Sequence, residues 1–155
     1  MKITIFLFDG VTALDPIGVY DSLSRLPDRD IVFVSATGEP VSTGDQFLKL
    51  HCTSALADID RTDVLLVPGG NGDGLRACMG DTALKAEFTR LDRDTTITGS
   101  FCTGSLILPG AGLLRGRQAT TNWRAKDYLG KLGATWGRYI ERAQIYAKQL
   151  GTAAG

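Results

Sequence analysis

The chain has 155 residues, enough for one domain whose core needs neither disulfides nor metals. Apolar residues make up 43% and charged residues 22%, and 17 Lys+Arg balance 17 Asp+Glu. With no net charge and no Lys/Arg run, it lacks the basic surplus that phosphate neutralisation needs, which argues against nucleic acid as the main partner.

The opening "MKITIFLFDG" is not a signal peptide: Thr4 breaks the apolar stretch, Asp9 ends it, and no small-residue cleavage site follows. It reads as a buried strand over 2–8, rich in β-branched and aromatic residues. "DGVTALDP" turns the chain. Asp15 before Pro16 has the pattern of a helix N-cap with proline at the first helical position, predicting a helix to about Leu26. "DIVFVSA" (30–36) is the next strand. "TGEPVSTGDQ" is turn-rich and suits a small hairpin, with "FLKLHCT" (47–53) alternating as a strand does. "DVLLVPGG" (63–70) is a buried strand ending in a glycine turn. "NGDGLRACMGDTALKAEFTRLDRD" then carries a helix predicted from about Thr82 to Asp92. "TTITGSF" (95–101) is a strand, and "TGSLILPGAGLL" a helix interrupted at Pro109. "RQATTNW" is a short strand or turn and "RAKDYLGKL" a helix. "ATWGRYIERAQIYAKQL" fits strands and a terminal helix equally. Strands alternating with helices predict βαβ units and a mostly parallel sheet. No repeat or linker divides the chain, so 1–155 is expected to be a single domain. No apolar run is long enough to cross a bilayer, so no membrane partner and a cytoplasmic location are expected.

In an open parallel sheet, ligands bind outside the carboxyl ends of the strands. Three features fall there: Asp15, the Gly69-Gly70 turn and Cys102. Cys102 stands where a strand turns into a helix, the arrangement of a nucleophile elbow. Unpaired N–H groups and the positive end of a helix dipole at such a junction favour a thiolate. Gly104 removes bulk beside it. Each feature also has a plainer reading. Free cysteine is often a packing residue, Asp15 suits a cap, and "PGG" is a common turn. The three cysteines are widely spaced and odd in number, which gives neither a disulfide framework nor metal-ligand spacing. Cys52 and Cys78 have no helix-start context and read as packing or surface residues. His51, the single histidine, lies in a strand-like run and reads as structural, while Trp123 and Trp136 read as core or interface aromatics.

Taken together, "FDGVTALDPIG", "DVLLVPGG", "SFCTGSLILPGAGLL" and "LLRGRQATTNW", in that order, resemble the DJ-1/PfpI (ThiJ) superfamily. Within it the chain is most similar to the subgroup holding isocyanide (isonitrile) hydratases and ligand-binding domains of AraC-type regulators. The resemblance implies a flavodoxin-like three-layer α/β sandwich with a nucleophile elbow. By position it makes Cys102 the nucleophile and Asp15 the acid set against its thiol, with the Gly70 and Thr103 backbone N–H groups lining an anion pocket. It implies no metal or organic cofactor, a small-molecule substrate and a homodimer. The activity it implies is conversion of an isonitrile to an N-substituted formamide, with a non-enzymatic small-molecule or oxidative-stress sensor as the alternative.

Three departures from the family pattern stand out. Many relatives read "ATTHW", whereas Asn122 stands here in place of the histidine. Gly18-Val19 replaces a frequent Gly-Pro. Relatives continue past a late "TAAG"-like turn into a closing helix, whereas this sequence stops at "GTAAG". A C-terminally shortened domain predicts compensation: "RAQIYAKQL" folding back as a substitute helix through Ile145, Tyr146 and Leu150, or cover from a second subunit. Either way, reduced stability and weaker catalysis are expected.

Overall fold

The computed structural model describes residues 1–137 and, as backbone, Ile145–Ala147. In chain order, β1 (Lys2–Phe6) leads to α1 (Leu14–Leu23), β2 (Asp30–Ser35) and a short antiparallel hairpin of β3 (Val41–Ser42) and β4 (Lys49–Leu50). After β5 (Ser54–Ala55) and β6 (Val64–Val67) come α2 (Gly72–Gly80), α3 (Thr82–Asp92) and β7 (Ile97–Ser100). A 3-10 turn over Cys102–Leu106 runs into α4 (Ile107–Gly110), which carries Pro109 and ends one residue later. The chain continues through β8 (Gln118–Ala119), a 3-10 turn (Trp123–Ala125), α5 (Lys126–Lys131) and β9 (Thr135–Trp136) to β10 (Ile145–Ala147).

The main sheet has six strands in the order β10-β7-β6-β1-β2-β5. All pairings are parallel except that of β10 with β7. Period-two alternation sends neighbouring residues of β1 to opposite faces. Ile5 lies in register with Phe33 and Leu66, and the Phe33 ring meets Tyr20 of α1 at 5.5 Å between centroids. Phe6 points the other way, where its ring meets Phe88 of α3 edge-on at 5.1 Å. The sheet is thus sandwiched between α1 and α3, giving the three expected layers. Cover on both faces explains why β6 reads as an unbroken apolar run, with all four residues buried.

Local chemistry shifted several boundaries. α1 begins at Leu14 after Ala13, so Asp15 lies inside the first turn and caps nothing; the helix ends at Leu23, short of Leu26. The glycine-rich stretch left outside the predicted helix is helix α2. Asn71 caps it, Oδ1 accepting from Gly74 N at 2.9 Å, and Leu75 and Cys78 anchor it in the core. Asp81 does the same for α3 through Leu84 N at 3.0 Å, and α3 occupies its predicted span.

The segment expected as a substitute helix provides a strand instead. Ile145 stands opposite Gly99, Tyr146 opposite Thr98 and Ala147 opposite Ile97. β7 would otherwise be the margin of the sheet, and the pairing satisfies its outward backbone groups. The rest of that expectation, residues 142–144 and 148–150, lies outside the described residues.

Candidate functional site

β6 and β7 run side by side and end together, with Val67 in register with Ser100. The chain leaves β7 extended at Phe101 and then reverses at Cys102, whose φ is +50°. The 3-10 turn starts at once. Cys102 is thereby lifted onto the surface, whereas Cys52 and Cys78 retain only 2% and 6% of their exposure.

Two glycines allow this close approach. A Cβ on Gly104 would clash with the Val67 carbonyl oxygen and lie 2.5 Å from that of Pro68. A Cβ on Gly69 would lie 2.8 Å from both Cys102 Cβ and Thr103 N. The β6 turn therefore packs directly against the cysteine. From the other side α1 delivers Asp15, whose Oδ2 accepts a hydrogen bond from Gly69 N at 2.8 Å. Burial pushes the Asp15 carboxyl above its ordinary pKa of 3.8, and the Gly69 bond pulls against that shift without cancelling it.

The four expected site residues are thus brought together, but not with every expected contact. Among the described residues no hydrogen bond joins Asp15 to the Cys102 sulfur, although both residues approach Gly69. The Gly70 amide is occupied, donating to Thr103 Oγ1 at 3.1 Å, and the same hydroxyl lies 3.3 Å from Gly70 O. Thr103 thus ties the glycine turn to the elbow by its side chain, while its own N–H has no partner among the described residues.

A second support of the elbow comes from Thr121, which the sequence did not single out, and from Asn122, which it set apart only as standing where many relatives carry a histidine. Thr121 Oγ1 and Asn122 N donate to Cys102 O at 3.2 and 3.4 Å, and Ser105 Oγ reaches the same oxygen at 3.4 Å. Asn122 Nδ2 lies 4.0 Å from Cys102 Sγ. The one available signal was position, since "TTNW" belonged to the family-like stretch. His51 is exposed and takes no part.

A groove of about 690 Å³ between the β3–β4 hairpin and α2, lined by Phe8, Asp9, Ser42 and Asn71, includes neither Cys102 nor Asp15. Among the described residues no cluster of three or more His, Cys, Asp or Glu is placed to hold a metal ion, and no helix is long and apolar enough to cross a membrane.

Comparison with known proteins bears on this arrangement. The chain is 39% identical over 134 residues to isonitrile hydratase of Pseudomonas putida, an alignment covering 86% of this chain but 58% of that protein. An uncharacterised protein of Streptomyces lividans is 35% identical over 134 residues, covering 84% of this chain and 93% of that one. The crystal structure of a ThiJ/PfpI family protein from Pseudomonas syringae superposes with a TM-score of 0.83 at 30% identity, covering 93% of this chain and 60% of that one. The chain therefore spans less than two thirds of the hydratase. The DJ-1/PfpI family pattern matches residues 1–155, and with the flavodoxin-like sandwich and the strand-to-helix junction already described, the chain belongs to that family.

Proposed function

We propose that the chain is an isonitrile-hydratase-like enzyme in which Cys102 is the nucleophile and Asp15 the acid. The observation that carries this reading is an exposed cysteine, at φ +50°, packed against the glycine that holds a carboxyl of raised pKa. The identity to isonitrile hydratase supports the choice of substrate.

The steps balance without a cofactor. The Cys102 thiolate attacks the terminal carbon of R–N≡C, and Asp15 gives that carbon a proton, leaving a thioimidate, R–N=CH–S. Water adds to the same carbon, one proton going to nitrogen. The Asp15 carboxylate takes the remaining hydroxyl proton as the C–S bond breaks, its electron pair returning to sulfur, and R–NH–CHO leaves. One carboxyl serves as acid and then as base, so the chemistry needs no histidine.

The experiment is hydration of an alkyl isonitrile, followed by loss of its infrared band and appearance of the formyl proton. Asp15→Asn is expected to slow turnover roughly 100-fold or more, the usual scale of a general acid. The asparagine oxygen still accepts from Gly69 N, so the melting temperature is expected to stay within a few degrees. The pH dependence of stability has a definite sign. The raised pKa of Asp15 makes the folded chain bind more protons than the unfolded one above 3.8, so this group's contribution to stability falls as pH rises over that window, and Asp15→Asn removes the decline. Turnover follows the fraction of molecules holding both the thiolate and the neutral carboxyl. Full activity in Asp15→Asn would remove the acid from the mechanism. If no isonitrile is turned over while peroxide converts Cys102 to a sulfinate, the sensor reading takes its place.

A further inference from the structure

We propose that the Asn122 side chain is a hydrogen-bond donor to the Cys102 sulfur in its thiolate form, a fixed partner that gains and loses no proton itself. This deepens the reading of Cys102 as the nucleophile and rests on it.

The orientation of an amide side chain is ordinarily ambiguous, since oxygen and nitrogen look alike. Here a backbone group decides it. Arg124 N donates to Asn122 Oδ1 at 3.1 Å, and this bond caps the 3-10 turn over Trp123–Ala125. With the oxygen engaged there, the amide turns its NH₂ towards Cys102 Sγ, 4.0 Å away. The position is held from below as well, because Asn122 N and Thr121 Oγ1 both donate to Cys102 O. Asn122 is thus tied at its backbone to the residue it faces and at its oxygen to the next turn, leaving one group free to act.

A contact of 4.0 Å is long for a thiol. A thiolate is a much stronger acceptor, and charge-assisted bonds shorten accordingly. The donor therefore favours the ionised sulfur over the neutral one. It does so again when the C–S bond breaks and charge returns to sulfur. The charged groups on the elements packed around this turn are Asp15, held on Gly69 N, Asp73 and Arg76 of α2, paired with each other, Lys126, Asp127 and Lys131 of α5, and Arg124, whose guanidinium stacks on Trp123 at 4.9 Å.

The test is the pH profile of iodoacetamide labelling of Cys102, read by mass spectrometry on the full chain. Asn122→Asp keeps an acceptor for Arg124 N, and Asn122→Gly removes the side-chain donor at a cap position that tolerates glycine; thermal melts establish that each variant is folded. Both are expected to move the midpoint of the profile upward by about one pH unit, which is about tenfold slower labelling below the midpoint. A merely structural role for Asn122 would leave the midpoint in place. An unmoved midpoint overturns the proposal. So does a shift in Asn122→Asp alone, because added negative charge explains it without a lost donor. Labelling needs no isonitrile, so a failure of hydration activity and a failure of this inference are read separately.

Discussion

Iodoacetamide at pH 7 is expected to label Cys102 at least a thousandfold faster than Cys78, and well before Cys52. The nucleophile is the thiolate, so both ionisation and access decide the rate. Cys78 lies at 6% exposure on the inner side of α2, and burial with the nearby Asp81 charge pushes its thiol up to about 12. At pH 7 only about one molecule in 10⁵ would carry the thiolate there. Burial also raises the Cys52 thiol, although a hydrogen bond from Ser35 opposes it, and its exposure is 2%. Cys102 alone is exposed. Peptide mapping after timed labelling checks the order. Equal rates at the three cysteines, or Cys102 reacting last, would mean that the strand-to-helix junction does not present a usable thiol.

Gly104→Ala is expected to cost about 3 kcal/mol, the upper part of the range for an overpacked site. For a chain of this size that lowers the melting temperature by roughly 6–12 °C. A methyl group there meets backbone atoms, the Val67 and Pro68 carbonyls, and no flexible side chain can move aside. Val67 belongs to β6, which is paired with both β1 and β7, so the strand cannot shift alone. Against a total stability on the order of 5–15 kcal/mol the loss is large. Gly130→Ala is the control: a Cβ at Gly130, inside α5, meets nothing within 4 Å, so its helix propensity alone should leave stability unchanged or slightly higher. Melts of both variants check the contrast. A Gly104→Ala chain melting within about 2 °C of the parent would show that the β6 turn yields to the elbow.

The sheet and its order of helices were legible because they rest on local pattern. The span Thr82–Asp92 alternates with helical period and forms α3 as expected. α2 was hidden by its glycines: propensity argued against a helix, while the Asn71 cap and the burial of Leu75 and Cys78 decided for one. Asp15 misled in the opposite direction, since Asp-Pro has the form of a cap while the side chain is used on Gly69, 54 positions away. Contacts of that kind leave no trace in spacing. The bonds from Thr121 and Asn122 to Cys102, about 20 positions apart, leave no trace in spacing either, and only the family resemblance set Asn122 apart; the pairing of Ile145–Ala147 with β7 was illegible for the same reason. There the pattern fitted strand and helix equally, and the unfilled margin of the sheet decided for a strand.

The backbone at Cys102 sets stability against chemistry. An L residue in the left-handed region is disfavoured by about 1–2 kcal/mol relative to glycine. At φ +50° the chain would be more comfortable with no side chain at position 102. Thermal robustness alone therefore favours glycine here, whereas the role proposed for Cys102 needs the sulfur. A lineage that ceased to need the thiol would find this substitution both accessible and favoured. Its descendants would keep the same sheet and junction, fold slightly better, and have lost the reacting atom.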